Sequence, residues 1–294
     1  MSLRSVTDHR LAYAKSTLGR NLALAVARGE EFLGFTVAKG VVIFLALEER
    51  AQDVQADWRA MGAQVDGTEE LYVHAAPSPV EGLVRLTELV RERKPALVVI
   101  DPLFRFTRVK DEKAYAEIYN ALGPLIDLAR ETGTHVMLTH HSTKLPKTDP
   151  IDSPLGSTAL AGVVATLIVL GKSGEYRTAC TVQRIGDNMP ETVLVFDKAT
   201  RRLKLGGTKE SVEQHDAEQR ILEFLDGKEP QTQAQIKEGV EGATKVVWAA
   251  LTMLVKAERV LKGGEGVRGK PFFYGLADRF GPYVENKKQE KLII

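Results

Sequence analysis

The chain has 294 residues, 44% hydrophobic and 27% charged, with 40 Lys and Arg against 39 Asp and Glu. That length holds one full α/β domain and a small companion at roughly 100–200 residues per domain, and the composition excludes a disordered or strongly basic protein. Near-neutral charge leaves any nucleic-acid contact to a local patch, and the lone Cys180 excludes an intrachain disulfide and a cysteine-ligated zinc site.

At the N-terminus MSLRSVTDH lacks the apolar core of a signal peptide, and no later apolar run reaches the ~18 residues of a membrane span. A cytoplasmic protein without a membrane partner is expected. Next, HRLAYAKST (residues 9–17) runs into the helical pattern of TLGRNLALAVARG. In G-x-x-x-x-G-K-[ST] the glycines let backbone N–H groups curl around phosphates, the lysine neutralises the β and γ oxygens, and the hydroxyl binds magnesium. Lys15 and Ser16 stand in register with such a loop, whereas its glycine positions hold His9 and Ala14. An ordinary helix containing AKST is the other reading of the stretch. A phosphate loop also hangs from an apolar central strand, and MSLRSVTD offers none, so that strand is expected to be missing.

From Val41 to Leu170 short β-branched runs alternate with longer amphipathic segments. VVIFLAL (41–47), ELYVHA (70–75), ALVVID (96–101), HVMLTH (135–140) and ATLIVL (165–170) are apolar on both faces, as in a parallel sheet covered on both sides. AQDVQADWRAMG, EGLVRLTELVRER and AYAEIYNALGPLIDLARETG between them place apolar residues three and four apart. This predicts repeated β-α-β units. TACTVQRI, ETVLVFD and RRLKL then predict an antiparallel extension of the same sheet. Together they predict an α/β core over residues 1–206.

Residues 207–214, within GGTKESVEQHD, predict a linker. Residues 215–277 predict three helices, with Thr232 capping the second, closed by two strands around the glycine-rich GGEGVRGK: a winged helix-turn-helix. Residues 278–294 form a charged tail. On the third predicted helix, 243–257, Lys245 is exposed, and Arg268 and Lys270 lie on the wing, a basic set able to reach DNA phosphates. Winged helices also dock proteins, so both readings stay open.

Three strand ends carry chemistry. Asp101 closes ALVVID, where open α/β sheets bind ligands and an acid holds magnesium through water; capping the turn at Pro102 is the alternative. Glu48 and Glu49 follow VVIFLAL, where a carboxylate can deprotonate a water aimed at a γ-phosphate, although acids also favour the first turn of a helix. His140 and His141 end HVMLTH beside Asp101 if the two strands are neighbours.

In that order KSTLGRNLALAVARGEEFLG, VVIFLALEE, ALVVIDPLFRF, VMLTHHSTK and LGSTALAGVVATLIVL resemble the RecA-like P-loop ATPase core of the hexameric DNA helicases typified by plasmid RepA, with DnaB-type helicases more distant. The resemblance covers roughly residues 12–206. It implies ATP and Mg2+ as ligands, with Ala14, Lys15, Ser16 and Thr17 on the phosphates, Ser16 and Asp101 on the metal, Glu48 as catalytic base and His141, or else His140, as γ-phosphate sensor. Arg184 would enter the neighbouring subunit's site in a homo-oligomeric ring, although Val182 stands where DnaB-type members have lysine. Lys144 and Lys147, in the loop KLPKTDPIDSPLGST, would face single-stranded DNA. A scaffold impaired in nucleotide chemistry that acts through its C-terminal domain is the rival.

Overall fold

A computed structural model describes residues 9–64, 68–107, 115–140, 164–173, 176–277 and 280, with backbone alone for 9–14, 115 and 173. The chain divides into two compact units, Met1–Gly206 and Gly207–Ile294.

The first unit opens with α1 (His9–Arg28) and a small hairpin of β1 (Glu31–Phe32) and β2 (Phe35–Thr36). A parallel sheet follows, built from β3 (Val42–Ala46), β4 (Leu71–His74), β5 (Leu97–Asp101) and β6 (His135–Leu138) in the order β4-β3-β5-β6. The connecting helices are α2 (Ala51–Ala60), α3 (Gly82–Arg93), and the pair α4 (Leu103–Thr107) and α5 (Tyr115–Thr132). Every residue of β3 and β5 is buried, as the unbroken apolar runs require of central strands covered on both faces. Edge strand β4 departs from that expectation, because its Tyr72 and Val73 are exposed. Two cores flank the sheet. Ile43, Val98 and Ile100 pack with Leu86, Val90, Ile118 and Leu122 on one side, and Val42, Phe44 and Val99 pack with Ala23, Leu24, Val54 and Trp58 on the other.

A second sheet, β7 (Thr166–Ser173), β8 (Tyr176–Gln183), β9 (Thr192–Phe196) and β10 (Leu203–Thr208), has the order β10-β9-β8-β7. Two expectations are corrected here. ATLIVL belongs to this antiparallel sheet, and among the described residues the two sheets share no ladder. The reason is connection length: Ser173 pairs with Tyr176, and so tight a link can only reverse the chain, whereas a parallel partner needs a crossover of a dozen residues or more. Leu18 of α1 nevertheless shares a core with Ala179, Leu194 and Leu203.

The loop expected to end at Ala14 is corrected as well, since the backbone is helical from His9. Without glycine at 9 and 14, Arg10, Leu11, Ala12 and Ala14 are good helix formers, and the helix carries back through them to His9. The expectation that an N-terminal strand is missing falls on residues 1–8, which lie outside the described residues.

The second unit contains α6 (Lys209–Leu225), α7 (Gln233–Gly239) and α8 (Thr244–Lys256), with a three-stranded antiparallel sheet of β11 (Gln231–Thr232), β13 (Phe273–Gly275) and β12 (Leu261–Gly263), β13 central. The predicted linker is corrected: 209–214 is the start of α6. Thr208 caps it, accepting from the Ser211 amide, and Ala217, Ile221 and Leu225, four apart, bury the face that carries the helix forward. Thr232 and Gln235 form a reciprocal capping box on α7. Ile236, Val247, Leu251, Leu254 and Tyr274 join α6 in one core. The tail beyond 280 lies outside the described residues.

Candidate functional site

Parallel register decides which side chains meet. Ala46 of β3 stands opposite Asp101 of β5, and Ile100 stands opposite Leu138 of β6. The ladder extends one step further, with the Leu47 amide donating to the Asp101 carbonyl at 2.8 Å and the Thr139 amide to the Ile100 carbonyl at 3.0 Å. Glu48, Asp101 and His140 therefore leave the sheet at one edge, the carboxyl end where α/β sheets place ligands.

α1 lies across this sheet. Gly19 marks the close approach, where a Cβ would stand 3.3 Å from Val99 Cγ1. One turn earlier, Lys15 reaches the strand ends and its Nζ donates to the His140 carbonyl at 2.8 Å. Burial pushes the Lys15 ammonium below its ordinary pKa, while Asp101 and then Glu48 hold it up. The lysine and the two acids named from sequence are thus in electrostatic contact.

Each acid has a distinct setting. Asp101 is buried and accepts from the Thr139 hydroxyl. Glu48 is exposed, and its Oε1 accepts from Arg105 Nε at 2.5 Å. Glu49 turns to the buried Arg20 guanidinium, which also pairs with Asp57 at 3.0 Å. Burial raises the Glu49 pKa, Arg20 opposes the rise, and the Asp101 charge adds to it. The His140 ring meets Phe104 edge-on at 4.7 Å.

Ser16 and Thr17 are half-buried on α1, and Ala14 is described by backbone alone. Arg184 is exposed just after β8, on the antiparallel sheet, with its amide on the Ala165 carbonyl at 2.9 Å. His141, Lys144 and Lys147 lie outside the described residues. In the second unit Lys245 is exposed in the first turn of α8; Arg268 and Lys270 are exposed between β12 and β13, Lys270 paired with Glu265 at 3.2 Å.

Sequence reasoning missed Thr139, Arg105 and Arg20. Arg20 had a signal: one arginine inside the apolar LGRNLALAV is buried only if paired. Arg105 had a weaker one, four residues after Asp101 in DPLFRF.

Among the described residues no three His, Cys, Asp or Glu side chains cluster closely enough to cage a metal. The donor set, one buried carboxylate with a hydroxyl helix residue and an ammonium, suits magnesium carried on phosphates, which takes one or two protein ligands and completes its shell with water and phosphate oxygens.

A comparison with curated proteins finds no match. Residues 12–147 match the model of a family described as AAA domain. That stretch contains Lys15, Glu48, Asp101 and His140, and the match together with the parallel four-stranded sheet supports a broad P-loop NTPase kind for this part of the chain.

Proposed function

We propose that the protein is an ATP-dependent, DNA-associated motor of the RecA-like helicase kind. One observation carries the reading: Lys15 reaches the carboxyl edge of the sheet and sits on the His140 carbonyl, within electrostatic reach of Asp101 and Glu48.

In this reading Lys15 exchanges the His140 carbonyl for β and γ phosphate oxygens, so its cost of burial is offset by a stronger partner. Asp101, held by Thr139, and Ser16 would hold hydrated magnesium, which would supply charge neutralisation on the phosphates. Glu48 is the general base. Its carboxylate and its partner Arg105 are both exposed, so it can exchange that partner and take a proton from the attacking water, whereas Glu49 is held by the buried Arg20. His140, or His141 after it, is placed to register loss of the γ-phosphate and pass the change to the following loop. Arg184 completes the site of an adjacent copy in a ring.

For the DNA contact, the second unit's three helices and small sheet read as a winged helix-turn-helix, with Lys245, Arg268 and Lys270 on phosphates and Lys144 and Lys147 contributing from the first unit. Few side chains on α8 suit base-edge hydrogen bonds, so the contact is sequence-independent.

The test is ATP binding and turnover, with and without single-stranded DNA, in the native chain, Lys15→Ala and Glu48→Ala. The reading expects Lys15→Ala to lose binding and Glu48→Ala to bind ATP with turnover about 100–10,000-fold slower. A chain that neither binds nor hydrolyses ATP, or that is indifferent to both substitutions, overturns it. One feature favours the rival, a DNA-binding regulator without efficient nucleotide chemistry: the backbone from His9 to Ala14 is helical, so beyond its first turn the N–H groups ahead of Lys15 are spent within the helix and are not curled into a phosphate cradle.

A further inference from the structure

Across α1 from Lys15 lies a cavity of about 330 Å³, within reach of the ~300–1,000 Å³ usual for small-molecule sites. Thr17, Arg20, Asp57, Arg177, Lys198 and Arg201 line it. Thr17 is roughly 160° around the helix from Lys15 at 3.6 residues per turn, so this face of α1 is a different one. The cavity holds four cationic side chains and a single carboxylate. Asp57 is already engaged by both Arg20 and Arg201. Arg177 and Lys198 have no ion-pair partner among the described residues.

Three further features concentrate positive charge here at a cost to the fold. Arg177 stands directly opposite Lys172 across the β7–β8 ladder, a like-charge pair that destabilises a sheet. Arg20 is 1% exposed, and its Nε has no hydrogen-bond partner. Arg201 adopts φ +53, left-handed backbone unfavourable to arginine, and is held there by Asn21, whose Nδ2 donates to the Arg201 carbonyl at 3.1 Å while its Oδ1 accepts from the Leu203 amide at 3.0 Å. Strain and unpaired charge gathered at one cavity are features of a binding site.

We propose that this cavity is an anion site for a di- or polyphosphate group, gripped by Arg177, Lys198 and Arg201 on the face of α1 opposite Lys15. Arg20 forms the floor and links the site to Glu49, next to Glu48. The guanidinium forks suit phosphate oxygens bidentately, and Lys198, exposed on the turn between β9 and β10, adds a point charge at the mouth.

The test uses the full chain carrying Lys15→Ala, which removes the other phosphate ligand, and titrates pyrophosphate calorimetrically. Pyrophosphate is expected to bind, and adding Arg177→Gln with Lys198→Gln is expected to weaken it at least tenfold without lowering the melting temperature; Lys198→Gln alone, at an exposed position, is expected to weaken it severalfold. Displacement of pyrophosphate by ATP identifies the source as a nucleotide, and displacement by a single-stranded oligonucleotide identifies it as the nucleic-acid backbone; both support the phosphate assignment. Absence of pyrophosphate binding, binding indifferent to both substitutions, or binding of adenosine in its place, on the Met61 and Phe196 side chains that also line the cavity, overturns it. Because Lys15 is already removed, the result is independent of whether the chain hydrolyses ATP.

Discussion

The Lys15 ammonium donates to the His140 carbonyl at 2.8 Å, joining positions 125 residues apart in the chain. This bond puts the Lys15 cation against the end of β6, within electrostatic reach of Asp101, and makes it a group whose titration reports on the site.

Burial lowers the Lys15 pKa below 10.5, so its charge is lost at a lower pH than an ordinary lysine's. Between the lowered value and 10.5 the folded chain binds fewer protons than the unfolded one. The burial cost is therefore fully present below the lowered pKa and is relieved as pH rises toward 10.5. ATP affinity is expected to fall over that alkaline window, to persist across it in Lys15→Arg, and to be at least tenfold weaker at neutral pH in Lys15→Ala. Equilibrium ATP titrations across pH check this, and an alkaline limb unchanged in Lys15→Arg contradicts it.

Glu48 and Glu49 are adjacent in sequence but face different partners, Arg105 and Arg20. Glu48→Gln should slow single-turnover hydrolysis about 100–10,000-fold with ATP affinity within a factor of three. Glu49→Gln should act mainly on stability. The reverse pattern in single-turnover and melting measurements would reassign the base to Glu49.

Arg20 ties α1 to Glu49 and Asp57 from a position with 1% exposure. Removing one partner of a buried pair strands the others and typically costs ~3–5 kcal/mol; with both carboxylates partly solvated, Arg20→Ala should lose about 3 kcal/mol. The two tryptophans fall one in each unit, Trp58 and Trp248, so urea unfolding in a Trp248→Phe background reads the first unit through Trp58. A loss under 1 kcal/mol would show that the pair is energetically idle.

If ATP binds through a backbone cradle, the N–H groups just ahead of Lys15, beyond the first turn of α1, have to leave their intrahelical hydrogen bonds to face the phosphates. Hydrogen exchange of the peptide spanning 9–17 should change on adding magnesium and ATP, relative to adenosine. Unchanged exchange alongside measurable ATP binding would show that Lys15 and Ser16 hold the phosphates without a loop.

Neutralising Lys245, Arg268 and Lys270 together should weaken single-stranded DNA uniformly across sequences and reduce the slope of log affinity against log salt by about 2, at roughly 0.7 per phosphate contact. A slope unchanged in fluorescence titrations would turn the second unit toward protein docking.

Much of the first unit was legible because burial writes itself into sequence. β3 and β5 are unbroken apolar runs between amphipathic helices, and their terminal acids fall at the carboxyl edge as that pattern requires. α6 was illegible at its start because Thr208 and Ser211 cap a helix whose first turns carry little apolar signal. α1 was misjudged in the opposite direction, since a motif built for a loop overrode residues that favour helix.

Sequence alone determined the alternation of strand and helix and the strand-end positions of Glu48, Asp101 and His140, because these follow from local periodicity. Only the tertiary structure decided that β6 pairs with β5, that Lys15 lands on the His140 carbonyl, that Glu48 and Glu49 diverge to Arg105 and Arg20, and that Arg177, Lys198 and Arg201 line one cavity. Those facts depend on register and packing between segments far apart in the chain, which no local pattern encodes.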